Sequence, residues 1–440
     1  MSLIAAKFGG SSVADTIQIR KVKAIVESDL SRRYIVVSAP GKRSDNDSKI
    51  TDMLYMVKTL ADSNVPYEEV LQVVKERFLI LENDLGVNAD IDKEFTEIKI
   101  KLNDDVPVDY LVSRGEYLCA KIIAGFLGYD FIDAAGLVLF DEKGKLLYEE
   151  TNAALKQALA GHLQAVIPGF YGTQPDGNIK TFSRGGSDIT GSLVARAVDA
   201  DIYENWTDVS GFLMADPKIV ENPKKIRRLN YRELRELSHM GASVLHENAI
   251  SPARLAGIPI KICNTNRPKD SGTVVSTDDT EKSESIVKGI TGKKNFTIID
   301  IHKNMMHNEI AVIRQVLSIL EDYRVPIEHI PSDKDLISLV IEKKYLEDKL
   351  DDLIYEFGKK IDADSIEIID NISLIATVGQ GLVFVPGVES ELFGALSKEG
   401  INARAINQNL SEISIIVGVK TEDFEAAICA IYKAFSLSSA

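Results

Sequence analysis

The chain contains 440 residues, of which 45% are hydrophobic and 27% charged, and it carries a formal net charge of −15. This length predicts two or three domains, and the composition is that of a soluble globular protein. The dispersed surplus of acidic residues argues against nucleic acid or an anionic membrane as a partner, because both are polyanions. The three cysteines, Cys119, Cys263 and Cys429, are too far apart to suggest a disulfide framework or a zinc site. Because the first residues also lack the apolar core of a signal peptide, we expect a cytoplasmic protein.

Short apolar runs alternate with amphipathic stretches over the first two-thirds of the chain. Buried strands are predicted at residues 3–8, 34–38, 165–168, 201–206 and 258–263. Helices are predicted where apolar residues share one helical face, namely Ile17, Val22, Ile25 and Val26; Leu118, Ile122, Ile123 and Phe126; and Ile189, Leu193, Val194 and Ala197. This alternation predicts an α/β fold with a mostly parallel sheet between layers of helices.

The sequence becomes strongly polar at residues 276–285 and then repeats itself. The segment 276–285 is predicted to be a linker. Residues 337–340 and 413–416 are similar and lie 76 positions apart, and further apolar residues pair at the same offset. Two copies of a small βαββαβ unit with an α+β ferredoxin-like fold explain the offset, whereas chance similarity between short strands is the alternative. The predicted domains are residues 1–275, 286–370 and 371–440.

The first candidate site is Lys7-Phe8-Gly9-Gly10-Ser11-Ser12, at the end of a predicted strand and the start of a predicted helix. Paired glycines let backbone N–H groups turn toward an anion, and Lys7 adds a full positive charge. These features suit a phosphate site, although an ordinary strand-to-helix turn would also contain glycine.

Three further polar segments follow strands or enter helices. In residues 181–188 Arg184 can hold a carboxylate in a bidentate manner, whereas Asp188 suits a helix cap. Residues 206–211, followed by 216–218, form a polar segment after another strand, or simply a polar loop. Ser113-Arg114-Gly115-Glu116 enters a helix, where Glu116 could bind an ammonium group if it faces a pocket. Because strand ends of a parallel sheet converge, the segments that follow strands are expected to line one crevice. Glu116 is otherwise an ordinary acid at the start of a helix.

The motifs KFGGSSVAD, SRGE, FSRGGSDITGSLVA, NWTDVSGFLMADP and GASVLHENAI resemble, in this order and spacing, those of aspartate kinases. These enzymes belong to the amino-acid kinase superfamily, and the repeated C-terminal unit resembles their paired ACT domains. The resemblance covers essentially the whole chain. It implies an amino-acid kinase domain at 1–275 and two ACT-like units at 286–370 and 371–440. The implied reaction is transfer of the γ-phosphate of ATP to the β-carboxylate of L-aspartate.

The resemblance also assigns site residues position by position. Those implied to bind ATP are Lys7, Gly9, Gly10, Ser11, Thr207, Asp208, Lys218, Ser243 and Val244. Those implied to bind aspartate are Ser38, Thr51, Glu116, Arg184, Gly185, Gly186 and Ser187. The catalytic residues among them are expected to be Lys7, Arg184 and Asp208. Two positions depart from the family pattern: Ser243 replaces a lysine, and Leu213 replaces an aromatic residue.

The chemistry of the implied substrates agrees with this set of residues. The β-carboxylate of aspartate is ionised at neutral pH and needs no general base. Catalysis is then expected to depend on positioning, on Mg²⁺ bound with ATP, and on Lys7 as the positive charge near the transferred phosphoryl group. No set of protein metal ligands is predicted.

The repeated units are expected to bind an amino-acid effector. Residues 304–308, which include Met305 and Asn308, resemble the effector loop of lysine-sensitive aspartate kinases, and Ile327 and Glu328 resemble the facing strand. Lysine is the expected inhibitor, with threonine as the alternative. Because small βαββαβ sheets leave an open edge, we expect a homodimer, or a dimer of dimers, formed through these units.

Two other functions remain open at this stage. The chain could be another amino-acid kinase, acting on glutamate, N-acetylglutamate or a nucleoside monophosphate. It could also be an amino-acid-sensing protein that has lost catalysis, which the serine at position 243 favours and the presence of Lys7, Glu116, Arg184 and Asp208 opposes.

Overall fold

The computed structural model describes residues 2–104, 106–183, 185–242, 245, 247–277, 285–305, 311–380, 382, 385–408 and 413–437. The chain forms two compact units. Unit 1 comprises Met1–Phe212, Lys225–Leu234 and Ser243–Glu281, and unit 2 comprises Leu213–Lys224, Arg235–Ala242 and Lys282–Ala440. Two short segments that precede the predicted linker therefore belong to the second unit. None of the helices within the described part of the chain is both long and apolar enough to cross a membrane.

Unit 1 is built on a largely parallel sheet. Its strands in the described residues are β1 (Ile4–Phe8), β2 (Arg32–Val37), β3 (Asp130–Phe131), β4 (Ala165–Pro168), β5 (Tyr171–Thr173), β6 (Ile179–Thr181), β7 (Ile202–Thr207), β8 (Arg228–Asn230), β9 (Ile260–Asn264) and β10 (Thr273–Ser276). Eight of them form one sheet in the order β3-β4-β2-β1-β7-β9-β10-β8, and β5 pairs with β6 in a separate hairpin. Only the β9–β10 pair of the large sheet is antiparallel. All residues of β1 and β4 are buried, as expected for strands covered on both faces.

The helices that precede the predicted linker bury their apolar sides. They are α1 (Thr16–Glu27), α2 (Ile50–Asp62), α3 (Glu68–Leu85), α4 (Ile91–Asn103), α5 (Val108–Leu127), α6 (Tyr148–Leu159), α7 (Gly186–Ala197), α8 (Tyr231–His239) and α9 (Glu247–Leu255). Helix α8 belongs to unit 1 up to Leu234 and to unit 2 from Arg235. The predicted strands and helices are present, but one assignment within α1 is wrong. Ile17 is 69% exposed, whereas Ile19 is buried, because the two residues point to opposite sides of the helix.

Unit 2 contains an antiparallel sheet with helices packed on it. Its strands are β11 (Gly289–His302), β12 (Leu336–Glu342), β13 (Ser365–Val378), β14 (Ala405–Asn407) and β15 (Ser414–Lys420), in the order β12-β11-β13-β15-β14. Its helices after the predicted linker are α10 (Val312–Asp322), α11 (Leu350–Ile361), α12 (Val388–Lys398) and α13 (Phe424–Leu437).

The structure confirms the repeat at the predicted offset of 76 positions. Both ends of β11 and β13, and both ends of α10 and α12, are related by this offset. The two copies do not form separate sheets, however, because β11 and β13 pair along their whole lengths. Each of these two long strands contributes to both copies. One apolar core lies under α10 and α11, and a second lies under α12 and α13. The predicted division at 370/371 falls within β13.

Candidate active site

The ends of strands β1 and β2 place two loops in direct contact. Gly41 donates its backbone N–H to the carbonyl of Gly10 at 2.9 Å, and Ser38 donates its N–H to the carbonyl of Phe8 at 3.1 Å. A Cβ atom on Gly41 would lie 2.7 Å from the carbonyl carbon of Gly10, so only glycine permits this approach. The predicted residues Gly10 and Ser38 are therefore neighbours at the carboxyl edge of the sheet.

The predicted phosphate loop folds as a tight turn after β1. The backbone N–H of Gly9 donates a hydrogen bond to the carbonyl of Trp206 at 3.0 Å. The amides of Gly10 and Ser11 are therefore the candidates in this turn for binding an anion. Residues Gly10–Val13 form a short 3-10 helix, and α1 begins at Thr16. The Ser12 hydroxyl lies 2.7 Å from that of Thr265, which follows β9.

Lys7 is buried in the central strand, and its ammonium group has a fixed carboxylate partner. Lys7 Nζ lies 2.5 Å from Asp188 Oδ1, and the side-chain amide of Asn205 donates to the same oxygen at 2.7 Å. Residues from β1, α7 and β7 thus meet at one point. Asp188 is not the helix cap that the sequence suggests, because the N-cap position of α7 is Gly185. Neither partner of Lys7 is predicted from the sequence, where the only signal is a polar asparagine within a buried strand.

The segment that leads into α7 is closely packed around its glycines. Gly185 has a φ of +60°, a left-handed conformation that favours glycine. A Cβ atom on Gly186 would lie 2.7 Å from the Phe170 ring and 2.9 Å from Cβ of Phe182. Ser187 is buried beside Gly169. Arg184 lies outside the described residues.

Glu116 is a buried acid on α5 that faces the loop after β2. Only 4% of the residue is exposed, and Oε2 has no hydrogen-bond partner among the described residues. Burial raises the pKa of Glu116 to about 8, against the lowering effects of a hydrogen bond from the Ala39 backbone and of the Arg114 charge. A Cβ atom on the preceding Gly115 would lie 2.9 Å from Cβ of Ala39, which shows how closely α5 approaches the residue after Ser38. A buried carboxyl group with an unused oxygen is suited to receive a cationic ligand.

The other predicted unit 1 residues lie at neighbouring strand and helix ends. Thr207 is the last residue of β7, and its hydroxyl donates to Asp208 Oδ1 at 3.2 Å. The carboxylate of Asp208 is exposed, and its backbone carbonyl accepts a hydrogen bond from Asn264 at 3.0 Å. Thr51 lies in the first turn of α2. Together, these positions combine a fixed cation, the backbone amides of a glycine turn and a buried acid, which suits a ligand pair carrying phosphate and ammonium groups.

Several predicted nucleotide-binding residues are not placed in this constellation. Lys218 is exposed in the segment Leu213–Lys224, which belongs to unit 2, and Leu213 begins the same segment. Met214, Ala215 and Val220 from it join the apolar core under α12 and α13. Ser243 and Val244 lie outside the described residues.

The predicted effector residues lie in unit 2, and one of them has unpredicted partners. Met305 is 64% exposed with a φ of +56°, Ile327 packs against the core under α10 and α11, and Asn308 lies outside the described part of the chain. The Glu328 side chain is 9% exposed and lies 2.7 Å from Nε2 of His239, the last residue of α8. Lys293 Nζ on β11 lies 3.8 Å from the same carboxylate.

Glu328 and His239 each shift the pKa of the other in the direction that favours the charged form. Burial alone would raise the pKa of Glu328, but the hydrogen bond from His239 and the Lys293 charge bring it below its usual value. In turn, the hydrogen bond to Glu328 raises the pKa of His239 above that of a free histidine, against the effects of burial and of Lys293. Glu236 on α8 adds to this rise. Glu328, the acid predicted to bind an effector, thus already has His239 and Lys293 as cationic partners within the chain.

Comparison with known proteins identifies relatives over the full length. Residues 2–264 match the amino acid kinase family, and residues 375–435 match an ACT domain. Aspartokinase 3 of Bacillus subtilis is 37% identical over 98% of both chains. The crystal structure of Clostridium acetobutylicum aspartate kinase is similar with a TM-score of 0.92 and 47% identity, covering 99% of this chain and 100% of that one. Escherichia coli aspartokinase III, in complex with aspartate and ADP, has a TM-score of 0.77 and 25% identity, covering 99% and 100%.

These matches agree with the predicted α/β domain, with the ACT-like region and with the resemblance drawn from the motifs. The chain therefore belongs to the amino acid kinase family and, within it, to the aspartokinases.

Proposed function

We propose that the chain transfers the γ-phosphate of ATP to the β-carboxylate of L-aspartate, giving 4-phospho-L-aspartate and ADP, the first step toward lysine, threonine and methionine. The observation that carries this proposal is the buried carboxyl oxygen of Glu116, which has no hydrogen-bond partner in the described part of the chain and lies beside the strand ends that hold Lys7. A free α-amino acid supplies the ammonium group that this acid lacks, whereas N-acetylglutamate and nucleoside monophosphates do not. The relative from Escherichia coli, which was solved with aspartate and ADP, supports the same pair of ligands.

The proposed reaction needs no proton acceptor on the enzyme. A β-carboxylate oxygen of aspartate attacks the γ-phosphorus, and the bond from phosphorus to the bridging oxygen of ADP breaks. The ammonium group of Lys7, held in place by Asp188, stabilises the negative charge on the phosphoryl oxygens. Glu116 holds the substrate ammonium group and Arg184 holds a substrate carboxylate, while Ser38, Thr51 and the backbone of 185–187 are assigned to further contacts with aspartate.

Magnesium is proposed to enter with ATP. No group of three or more histidine, cysteine or acidic residues in the described part of the chain could hold a metal ion. In nucleotide-dependent enzymes Mg²⁺ is bound mainly by substrate phosphates and one or two protein carboxylates. Asp208, exposed at the end of β7, is the candidate protein ligand, and bound Mg²⁺ would neutralise phosphate charge.

We further propose that lysine inhibits the enzyme by binding in unit 2 at Met305, Asn308, Ile327 and Glu328, with threonine as the second candidate. An acidic side chain with little exposure suits the second ammonium group of lysine, which threonine lacks. A homodimer or dimer of dimers is proposed through the open sheet edges, where β14 exposes 54% of Ile406. Free cysteines and a need for ATP support a cytoplasmic location.

The proposal is tested by ADP release from Mg-ATP with a panel of acceptors: L-aspartate, L-glutamate, N-acetylglutamate and uridine monophosphate. We expect release with aspartate alone, inhibition by lysine, and a large increase in the KM for aspartate in Glu116→Gln. Faster ADP release with another acceptor would identify that compound, and not aspartate, as the substrate. A properly folded chain that binds lysine but releases no ADP would favour the sensor function.

A further inference from the structure

Asp109 links two parts of unit 1 that the proposed function assigns to one substrate. It lies in the first turn of α5, about two turns before Glu116. Its Oδ2 accepts from Lys180 Nζ at 2.7 Å, and its Oδ1 accepts from the Thr181 hydroxyl at 2.5 Å. The Asp109 side chain is 18% exposed and Thr181 is buried, so these bonds are partly shielded from water. Both oxygens of one carboxylate thereby hold the end of β6.

The end of β6 in turn fixes the loop that enters α7. Phe182 follows Thr181, donates its N–H to the carbonyl of Phe170 at 2.9 Å, and packs edge-on against Phe140 at 4.9 Å between ring centroids. Phe170 and Phe182 enclose Gly186 so closely that a Cβ atom there would clash with both. Displacement of Thr181 would therefore be transmitted to the first turn of α7.

The link lies close to the proposed substrate site. Burial raises the pKa of Tyr55 on α2, and the charges of Asp109 and Glu116 raise it further while that of Lys180 lowers it. The charges of Asp109, Glu116 and Lys180 thus all act on the Tyr55 hydroxyl. Tyr55 is also one helical turn from Thr51, which is assigned to aspartate.

We propose that Asp109 is a positioning residue that joins the helix carrying Glu116 to Phe182 and to residues 185–187 at the start of α7, and so fixes the span available to the bound amino acid. This inference rests on the proposed assignment of Glu116 and residues 185–187 to the substrate. Glutamate is one methylene longer than aspartate, and pockets discriminate such a difference by about 10- to 200-fold. A fixed span is therefore a source of selectivity between the two acids.

The test compares Asp109→Ala, Asp109→Asn and Thr181→Val with Glu94→Gln as the matched control. Glu94 also binds α5, through Lys121 at 2.5 Å, and its side chain is 15% exposed, but it has no assigned role in the site. We expect Asp109→Ala to raise the KM for aspartate about tenfold and to reduce the preference for aspartate over glutamate, with kcat and the KM for ATP within about twofold of the unmodified enzyme. Asp109→Asn and Thr181→Val should show smaller shifts in the same direction.

Glu94→Gln should lower the thermal midpoint without changing the KM for aspartate or the preference. If folded Asp109→Ala keeps the KM for aspartate and the preference for aspartate over glutamate, or if Glu94→Gln shifts both equally, Asp109 has no positioning role. Either result would leave the proposed function in place. If Asp109→Ala does not fold, Thr181→Val decides the question by the same criteria. Absence of any aspartate-dependent turnover in the unmodified chain would overturn the proposed function, and this inference with it.

Discussion

Binding of aspartate is expected to release a proton from Glu116. Because burial raises the pKa of this carboxyl group to about 8, only about one molecule in ten carries ionised Glu116 at pH 7 when no ligand is bound. The substrate ammonium group pairs with the ionised form, so the neutral fraction must first lose its proton. The apparent KM for aspartate should therefore rise about tenfold for each pH unit below the pKa and level off above it.

The assay is the KM for aspartate at saturating Mg-ATP between about pH 6 and about pH 9. Calorimetric titration in two buffers with different ionisation enthalpies would count the released protons directly. Glu116→Gln should bind aspartate weakly, with a KM that no longer falls as pH rises and without proton release. A KM of the unmodified enzyme that stays constant across this range would refute the assignment of a neutral Glu116 to the free protein.

Four further outcomes are expected. Lys7→Ala should lower kcat by at least about 100-fold, the size typical of losing one electrostatic stabiliser, as measured by ADP release. Asp188→Asn should lower kcat about 10- to 100-fold because it releases Lys7 from its position, and a normal kcat would contradict the role of this pair. Glu116→Gln should stabilise the ligand-free protein at pH 7 by roughly 3 kcal/mol in denaturant unfolding, since an acid whose pKa is raised in the folded state favours folding only at low pH. Lysine should inhibit more strongly above the pKa of His239, and His239→Gln should abolish this pH dependence, because the protonated histidine competes for Glu328.

The expected direction of the pH dependence of lysine inhibition follows from the ion pair between His239 and Glu328. Glu328 raises the pKa of His239, so their ion pair is fully present below the ordinary histidine pKa of about 6.5 and is lost as pH rises through the raised value. An inhibition constant that is independent of pH in the unmodified enzyme would contradict competition between His239 and lysine. Lys293→Gln serves as the control, because it removes a second cation near Glu328 and leaves His239 in place.

Local sequence patterns predicted the loops but not their partners. The loop containing Gly9 and Gly10 and the repeat offset of 76 positions follow from residues close together in the chain or from direct self-comparison. The contacts of Lys7 with Asp188 and Asn205 depend on β1 lying beside β7, and strand order is not encoded in the periodicity of either strand. For the same reason, the local sequence suggests a helix cap for Asp188 and gives no sign of its contact with Lys7.

The organisation of unit 2 shows a second limit. A constant offset is equally compatible with two separate sheets and with two copies that share their long strands, so pairing of β11 with β13 had to be observed. The segment Leu213–Lys224 is too short to show a core pattern of its own. Its apolar residues, including Met214 and Val220, instead complete a core formed mostly by residues more than a hundred positions later.

The central claim is tested most directly by trapping the product with hydroxylamine, using purified protein, Mg-ATP and L-aspartate. An acyl phosphate reacts to give a hydroxamate, whereas ADP released by simple ATP hydrolysis does not. We predict aspartyl hydroxamate that forms with aspartate but not with glutamate, decreases when lysine is added, and is almost absent in Lys7→Ala. ADP release without hydroxamate, or equal hydroxamate from Lys7→Ala, would contradict phosphoryl transfer to aspartate at this site.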